Sequence, residues 1–217
     1  MTWAEVYDYW SIAQAALVTV SLAAVSILLG VPLGLGLALI RWGRVPVLAQ
    51  AVTVYVSIVR SSPTITLILL IFFALPQLGI LLDPIPSAIL ALTISTAAFN
   101  CEVWRSALLN FPTDQLDAAS SFGMSRYLRL RRIVFPQLWR GALPGLVNEM
   151  TLHVKSTPAI AVIGIVEITR AALRVGARTY EPLPPFMFAL VIYSLLVLLL
   201  VKAQRMLEQR PLQGAAP

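Results

Sequence analysis

The sequence predicts an all-α integral membrane protein, and its composition is the first reason. Hydrophobic residues make up 59% of the 217 residues, whereas charged residues make up only 12%. A water-soluble domain with so few charges could not cover its surface. The mean hydropathy of +0.83 also excludes a disordered chain, which requires low hydrophobicity and high charge. The second reason is a set of long runs without charge, which locate the membrane spans.

Each predicted span needs about 20 helical residues to cross a hydrocarbon core of about 30 Å. Charge-free runs cover residues 9–40, 61–82, 84–101 and 182–201. Residues 141–169 are also mainly apolar, although they include Glu149, His153, Lys155 and Glu167. We therefore predict a single transmembrane domain over 1–217 with five helices, at about 11–41, 54–82, 86–108, 139–167 and 184–204.

Basic residues determine the predicted orientation, because cytoplasmic loops are enriched in Lys and Arg. Arginines follow the first run, crowd residues 126–140, and recur with Lys202 in the tail. The middle cluster and the tail can share one side only if residues 141–169 cross the membrane. The N-terminus is then outside and the C-terminus cytoplasmic. Arg170, Arg174 and Arg178 would lie outside, against the rule, either solvated or facing an acidic partner.

Small residues and prolines indicate how the helices pack. Three glycines in the first helix would let a neighbouring backbone approach closely, namely Gly30, Gly34 and Gly36. Four prolines are each expected to kink or begin a helix, namely Pro32, Pro63, Pro144 and Pro158.

The chain lacks the residues for most catalytic or metal chemistry. With one His and one Cys, no metal site is expected within it. No Gly-x-Ser-x-Gly motif is present, so a serine hydrolase would have to use His153. Neither Lys155 nor Lys202 follows a glycine, which excludes a P-loop, so any ATP would be bound by a partner. We predict no catalytic residue and no bound cofactor, and arginines scattered among apolar runs do not favour nucleic acid.

Residues 111–137 are too polar to span the membrane and follow a helix–stop–helix pattern. Pro112 and Asp114 suit the first turn of a helix, and Gly123 suits the position that ends it. Ser125 can cap a second helix. From these residues alone two roles remain open: an interfacial helix pair that anchors the loop, or a short helix that lies in a partner's groove.

The same segment resembles the EAA loop of ABC importer permeases. The family pattern is Glu-Ala-Ala, then Gly, then Ile-x-Leu-Pro, and this chain has Asp117-Ala118-Ala119, Gly123, Ile133 and Phe135-Pro136 at that spacing. Asp117 and Phe135 are conservative departures. By this resemblance, the cytoplasmic segment 111–137 would couple the chain to an ATPase through Asp117, Ala118, Ala119, Gly123, Ile133 and Pro136.

The resemblance also implies a fold, partners and a location. The fold would be that of a type I ABC importer permease in the bacterial inner membrane. The implied partners are two ATP-binding subunits, which would carry the ATP, a second permease subunit, identical or paralogous, and an extracytoplasmic solute-binding protein. Transport would proceed by alternating access, driven by ATP hydrolysis on the partner.

Further matches point to the polar amino-acid branch of the family. They include Arg60-Ser61-Ser62-Pro63 and Glu102-Val103-Trp104-Arg105, and the resemblance extends over about residues 12–203. It implies uptake of polar amino acids such as histidine, glutamine and arginine, or of opines. The family's Lys-Asp-Thr-Ser is replaced by Lys155-Ser156-Thr157-Pro158, so the substrate or the bend of the fourth helix is expected to differ. The alternatives are a permease for a non-amino-acid solute and an intramembrane hydrolase using His153.

Polar residues cluster on one side of the predicted fourth helix, within an arc of about 160°. They are Asn148, Glu149, His153, Lys155 and Ser156. Because ionisable groups at membrane depth cost about 2.5–3.5 kcal/mol, they normally face a bundle interior or a wet cavity. This arc either lines the substrate pathway or forms a helix–helix salt bridge. Arg60, Glu102 and Arg105, near helix ends, are expected to form a salt bridge or to contact headgroups.

Overall fold

A computed structural model describes residues 3–208, and this part of the chain consists of helices and short connections. Residues 209–217 of the predicted cytoplasmic tail lie outside the described residues. The α-helices are α1 (Trp3–Trp42), α2 (Leu48–Ser61), α3 (Thr64–Gln77), α4 (Pro84–Leu109), α5 (Thr113–Ser121), α6 (Arg126–Arg129), α7 (Phe135–Ser156), α8 (Ile168–Thr179) and α9 (Leu183–Glu208). A π-helical turn, Leu130–Val134, joins α6 to α7, and a 3₁₀ helix, Thr157–Ile163, follows α7.

Three of the described helices are long and apolar enough to cross a membrane. They are Val6–Trp42, Pro84–Leu109 and Leu183–Leu207, and the pair formed by α2 and α3 adds a fourth if it counts as one broken span. Helix α7, in the fourth predicted span, is not among these helices, and it carries Arg140, Glu149 and Lys155 along its length. The structure therefore gives an all-helical, multi-pass membrane protein.

The single helix predicted over 54–82 is two helices in the structure, α2 and α3, which meet at 111°. Pro63 causes the break, because a proline disfavours helical geometry in the residue before it. Ser62 is extended, with a ψ of 136°, and Pro63 occupies the N-cap position of α3. The second half of the predicted span thus turns sharply away from the first.

The helix predicted over 139–167 also differs, since it begins earlier and ends at Ser156. The residues from Arg126 onward continue without interruption into α7 through the π-helical turn. Pro158 cannot donate the backbone hydrogen bond that an α-helix requires, and the chain tightens into the 3₁₀ helix. Gly164 then ends that helix at a φ of +98°, a conformation that favours glycine.

Helix α1 runs along three buried clusters and packs most closely against α4. At one end Ile12 packs with residues of α8 and α9, and in the middle Leu22 packs with α3 and α4. At the other end, Val31 and Ala38 pack with α2, α4 and α7. Helix α1 thus contributes residues to all three buried clusters of the bundle.

Two of the three predicted packing glycines lie at the α1–α4 contact. A Cβ on Gly30 would lie 2.6 Å from Cγ2 of Thr96, and one on Gly34 would lie 2.9 Å from the backbone nitrogen of Cys101. Gly36 differs, since nothing lies within 4 Å of a Cβ at that position. The close approach predicted for this helix is therefore present at Gly30 and Gly34 but not at Gly36.

We predict that Gly34→Ala destabilises the protein by about 1–3 kcal/mol, because the added methyl meets the backbone of α4 rather than a movable side chain. Gly36→Ala is the matched control, with the same chemical change on the same helix into open space, and it should leave stability unchanged or slightly raised. Thermal unfolding in detergent measures both. Equal thermal unfolding midpoints for the two variants would contradict the close contact between Gly34 and the backbone of α4.

Candidate functional site

A cluster of three charges joins α1 to α4 near one end of the bundle. Glu102 accepts hydrogen bonds from Arg41 of α1 and from Arg105, whose nearest nitrogen lies 2.9 Å away. The Glu102 side chain is 19% exposed, so the cluster is partly shielded from solvent. The salt bridge predicted for Glu102 and Arg105 is present, with Arg41 as an additional partner.

Arg60, the third residue of that prediction, lies elsewhere. Its guanidinium carbon lies 5.5 Å from the ring centroid of Phe99, within the range of a cation–π contact. Both residues line a cavity of about 540 Å³ between α2, α4 and α7, hereafter the large cavity. Its polar lining includes Arg60, Glu102, Ser106, Asn110, Gln137 and Glu149. The large cavity therefore presents both signs of charge.

A smaller cavity of about 160 Å³ adjoins the large cavity, and Phe99 and Glu149 line both. Four hydroxyl-bearing residues line this second space, Thr64, Ser95, Thr96 and Ser156, together with Asn100 and His153. We call it the hydroxyl cavity. Asn100 is 1% exposed and donates to the backbone oxygen of Thr96 at 2.9 Å. Its Oδ1 has no partner among the described residues, which leaves a buried acceptor at this wall.

The predicted polar arc is divided by the structure. Glu149, His153 and Ser156 line the hydroxyl cavity together. Asn148 and Lys155 are exposed and line neither this cavity nor the large one. The arc therefore does not act as one surface within this chain.

His153 joins three helices through two hydroxyl groups. Its Nε2 lies 2.7 Å from Oγ of Ser26 on α1, and its Nδ1 lies 2.8 Å from Oγ1 of Thr96 on α4. The Ser26 hydroxyl also lies 2.7 Å from the backbone oxygen of Leu22, to which it can donate. Ser26 can then accept from His153 while Thr96 donates to the other ring nitrogen. This buried hydrogen-bond network holds α1, α4 and α7 together.

None of the α4 residues at this site is predicted from the sequence as part of it. Thr96, Phe99 and Asn100 lie within the charge-free run 84–101. The absence of charge in this run predicts a membrane span and gives no indication of a binding site. The four-residue spacing of Thr96 and Asn100 places both on one helix face, but this spacing does not show that the face lines a cavity.

The polar segment after α4 folds as the sequence pattern predicts. Gly123 has a φ of +76°, its backbone nitrogen donates to Ser120, and Met124 donates to Ala119, which together form a Schellman motif at the end of α5. Ser125 accepts from the backbone nitrogen of Leu128 at 3.3 Å and so caps α6. Arg129 reaches back to Oγ of Ser120 at 2.9 Å. Helix α5 is thus held rigidly against the following helix.

The residues that match the EAA pattern divide between a buried and an exposed side. Ala119 is buried and Ile133 is half-buried, whereas the other four are exposed, namely Asp117, Ala118, Gly123 and Pro136. Trp42 and Gly43 line a cavity of about 360 Å³ together with Leu116 and Tyr127. The turn after α1 therefore lies at the same end of the bundle as this segment.

The other end is organised by Glu167, for which the sequence predicts no role beyond an unfavourable charge in a span. This carboxylate is fully buried and accepts from the backbone nitrogens of Thr169, at 2.9 Å, and Arg170, at 2.6 Å. Tyr193 of α9 donates to it at 2.7 Å. Glu167 therefore caps α8 and attaches it to α9.

The three arginines predicted to lie outside have different environments. Arg178 pairs with Asp8 of α1, and Arg170 donates to the backbone oxygen of Ala161. Arg174 is exposed. Two of the three thus have partners within the chain.

The fold and the site together define a multi-pass helical membrane protein with a polar, charge-bearing cavity between its helices. Residues 30–213 match the family of binding-protein-dependent transport system inner membrane components. The chain belongs to this family, and it is a permease of an ABC importer.

Individual relatives and a solved structure agree with this assignment. The L-cystine transport system permease protein TcyB of Bacillus subtilis is 31% identical over 94% of this chain and 88% of its own length. The nopaline transport system permease protein NocM of Agrobacterium fabrum is 36% identical over 81% of this chain and 77% of its own. The crystal structure of an amino acid ABC transporter with histidines superposes with a TM-score of 0.87 over 97% of this chain and 99% of that one, at 25% identity.

Proposed function

We propose that this chain carries a polar amino acid, or a related compound such as an opine, through the large cavity and the hydroxyl cavity. The observation that supports this most directly is the unpartnered Oδ1 of buried Asn100, which lines the hydroxyl cavity with Glu149. Arg60 lines the adjoining large cavity, where Glu149 is also present. An amino acid has an ammonium group that needs acceptors and a carboxylate that needs a cation. The relatives named for L-cystine and nopaline transport give independent support.

Each polar group has a role in this proposal. Asn100 Oδ1 and the Glu149 carboxylate accept from the ammonium group, and the Arg60 guanidinium binds the carboxylate. Phe99 lies between the two cavities and holds Arg60 at its ring face. An intramembrane hydrolase that uses His153 is disfavoured, because Ser26 is fully buried and its hydroxyl proton is directed to a backbone oxygen.

We predict that Asn100→Leu and Arg60→Gln each raise the KM for uptake by about 10- to 100-fold, since each removes a hydrogen bond to a charged group of the solute. Uptake of radiolabelled arginine, glutamine, histidine and cystine by cells expressing the assembled importer measures this. Arg174→Gln on the exposed face of α8 is the matched control and should leave KM unchanged. An unchanged KM in both site variants would contradict the proposed pathway. Uptake of none of the four would favour a non-amino-acid solute.

We further propose five membrane crossings in the bacterial inner membrane, with the N-terminus outside and the C-terminus cytoplasmic. The bent pair α2–α3 would be the second crossing. Helix α7, whose Glu149, His153 and Ser156 line the hydroxyl cavity, would be the fourth. The arginines of the turn after α1 and of the segment 111–137 lie at one end of the bundle, as the positive-inside rule requires of the cytoplasmic side.

The topology predicts which positions an impermeant thiol reagent reaches in intact cells. Leu81 is 83% exposed between α3 and α4, and Phe122 is 86% exposed after α5. Leu81→Cys should be labelled from outside, whereas Phe122→Cys should react only after the cells are opened. The reverse pattern would overturn the proposed orientation. Native Cys101 is fully buried, so the unmodified protein is the background control.

Coupling to ATP hydrolysis is proposed to occur through α5. Its exposed side, with Asp117 and Ala118, is thin enough to lie in a groove of an ATP-binding subunit. The partners would be two such subunits, which bind the ATP, a second permease subunit and an extracytoplasmic solute-binding protein. Closure of the ATP-binding subunits would move α5 and α6–α7 together, because Arg129 and Gly123 hold them as one unit.

We predict that Ala118→Arg abolishes solute-stimulated ATP hydrolysis by the assembled importer, because the larger charged side chain prevents α5 from seating. The protein should still insert and keep its unfolding midpoint, since Ala118 is exposed in the chain. Ala177→Arg, the same change on the exposed side of α8, should leave stimulation intact. Full stimulation with Ala118→Arg would refute a coupling role for this face.

A further inference from the structure

A second binding surface lies on the opposite side of α4 from the solute cavities, where two adjoining spaces share the same three helices. The first is an open apolar groove of about 880 Å³ between α1, α2 and α4. The second is a pocket of about 510 Å³ at the turn between α1 and α2, lined by Arg41, Arg44 and Arg105 with Trp42 and Thr53. We call them the apolar groove and the arginine pocket.

The two spaces are neighbours along the helices that form them. On α1, Ile40 lines the groove and Arg41 the pocket, and on α2, Val52 lines the groove and Thr53 the pocket. The groove follows α1 from Leu28 to Ile40, which is about 18 Å of helix at 1.5 Å per residue. One leaflet of the hydrocarbon core is about 15 Å deep. An apolar groove about one leaflet long therefore lies next to a cationic pocket.

Charge in the arginine pocket is not balanced within the described part of the chain. Three guanidinium groups face one carboxylate, that of Glu102, which already binds Arg41 and Arg105. The side chain of Arg44 has no hydrogen bond or ion pair with any described residue. Arg44 is exposed, and it lines the pocket together with Trp42. An anionic group with an attached apolar chain complements both spaces.

The backbone of Arg44 adopts a left-handed conformation, which is unfavourable in free energy for a residue other than glycine. Arg44 has a φ of +51° at the C-terminal end of α1, where glycine is the usual residue. Its backbone nitrogen donates to Arg41 at 3.2 Å, and that of Val45 donates to Ile40 at 3.3 Å, which closes the helix end. The groove is kept open by Gly36, beside which nothing lies within 4 Å of a Cβ.

We propose that the apolar groove and the arginine pocket bind an anionic phospholipid, with its phosphate at Arg44 and an acyl chain along α1. The proposal rests on the proposed orientation, which places the pocket at the cytoplasmic leaflet, where anionic lipids attract basic residues. The bound lipid would attach the α1–α2 turn, and with it the neighbouring segment 111–137, to the membrane surface.

The test is native mass spectrometry of the whole purified importer, incubated with phosphatidylglycerol or with phosphatidylcholine. We expect phosphatidylglycerol to be retained in preference. Arg44→Asn removes the charge with a residue that tolerates positive φ, and it should lower retention about fivefold, the effect of one elementary charge near the surface. Gly36→Phe, which fills the groove, should also lower it. Arg205→Asn, an exposed arginine on α9, is the matched control and should have no effect.

Equal retention of the two lipids, or retention unchanged by both Arg44→Asn and Gly36→Phe, would overturn the proposal. So would crosslinking that shows a second protein chain in the groove. Because retention is measured without solute or ATP, its failure would leave the transport proposal standing. Failed solute uptake would equally leave the retention result unchanged.

Discussion

The close approach of α1 and α4 is the constraint on which the rest of the bundle depends. Gly30 and Gly34 leave no room for a side chain, so the two backbones nearly touch at Thr96 and Cys101. This contact sets the register of α4. In that register Thr96 reaches His153, and Glu102 reaches Arg41. A larger residue at either glycine would displace both interactions together, and with them the faces of α4 and α7 that line the cavities.

Packing of this kind is required because lipid supplies little hydrophobic force between helices. Close van der Waals contact and interhelical hydrogen bonds must hold the bundle instead. His153 joins α1, α4 and α7 through Ser26 and Thr96, and Glu167 joins α8 to α9 through Tyr193. The polar residues that made residues 141–169 ambiguous by hydropathy thus serve two purposes. Some fasten the helices, and Glu149 remains at the boundary between the two cavities.

Local signals allowed much of the fold to be predicted from the sequence, and tertiary contacts determined the rest. Gly123 and Ser125 mark helix ends by their own conformational and capping preferences, and the structure places them as predicted. Pro63 and Pro158 are predicted sites of a kink or helix start, but a proline in the sequence specifies neither the 111° angle nor the 3₁₀ geometry that follows. Asn100 could not be recognised as a site residue, because its importance comes from packing that leaves its Oδ1 without a partner.

The most direct test of the account is the accessibility of the wall shared by the two cavities. In a Cys101→Ser background, Phe99→Cys in the assembled importer should react with a charged, water-soluble thiol reagent, and a saturating mixture of polar amino acids should slow that reaction. Leu33→Cys, on the opposite apolar groove, should stay unreactive with the same reagent. No reaction at position 99, or a rate that the amino acids leave unchanged, would contradict the assignment of this space as the solute pathway.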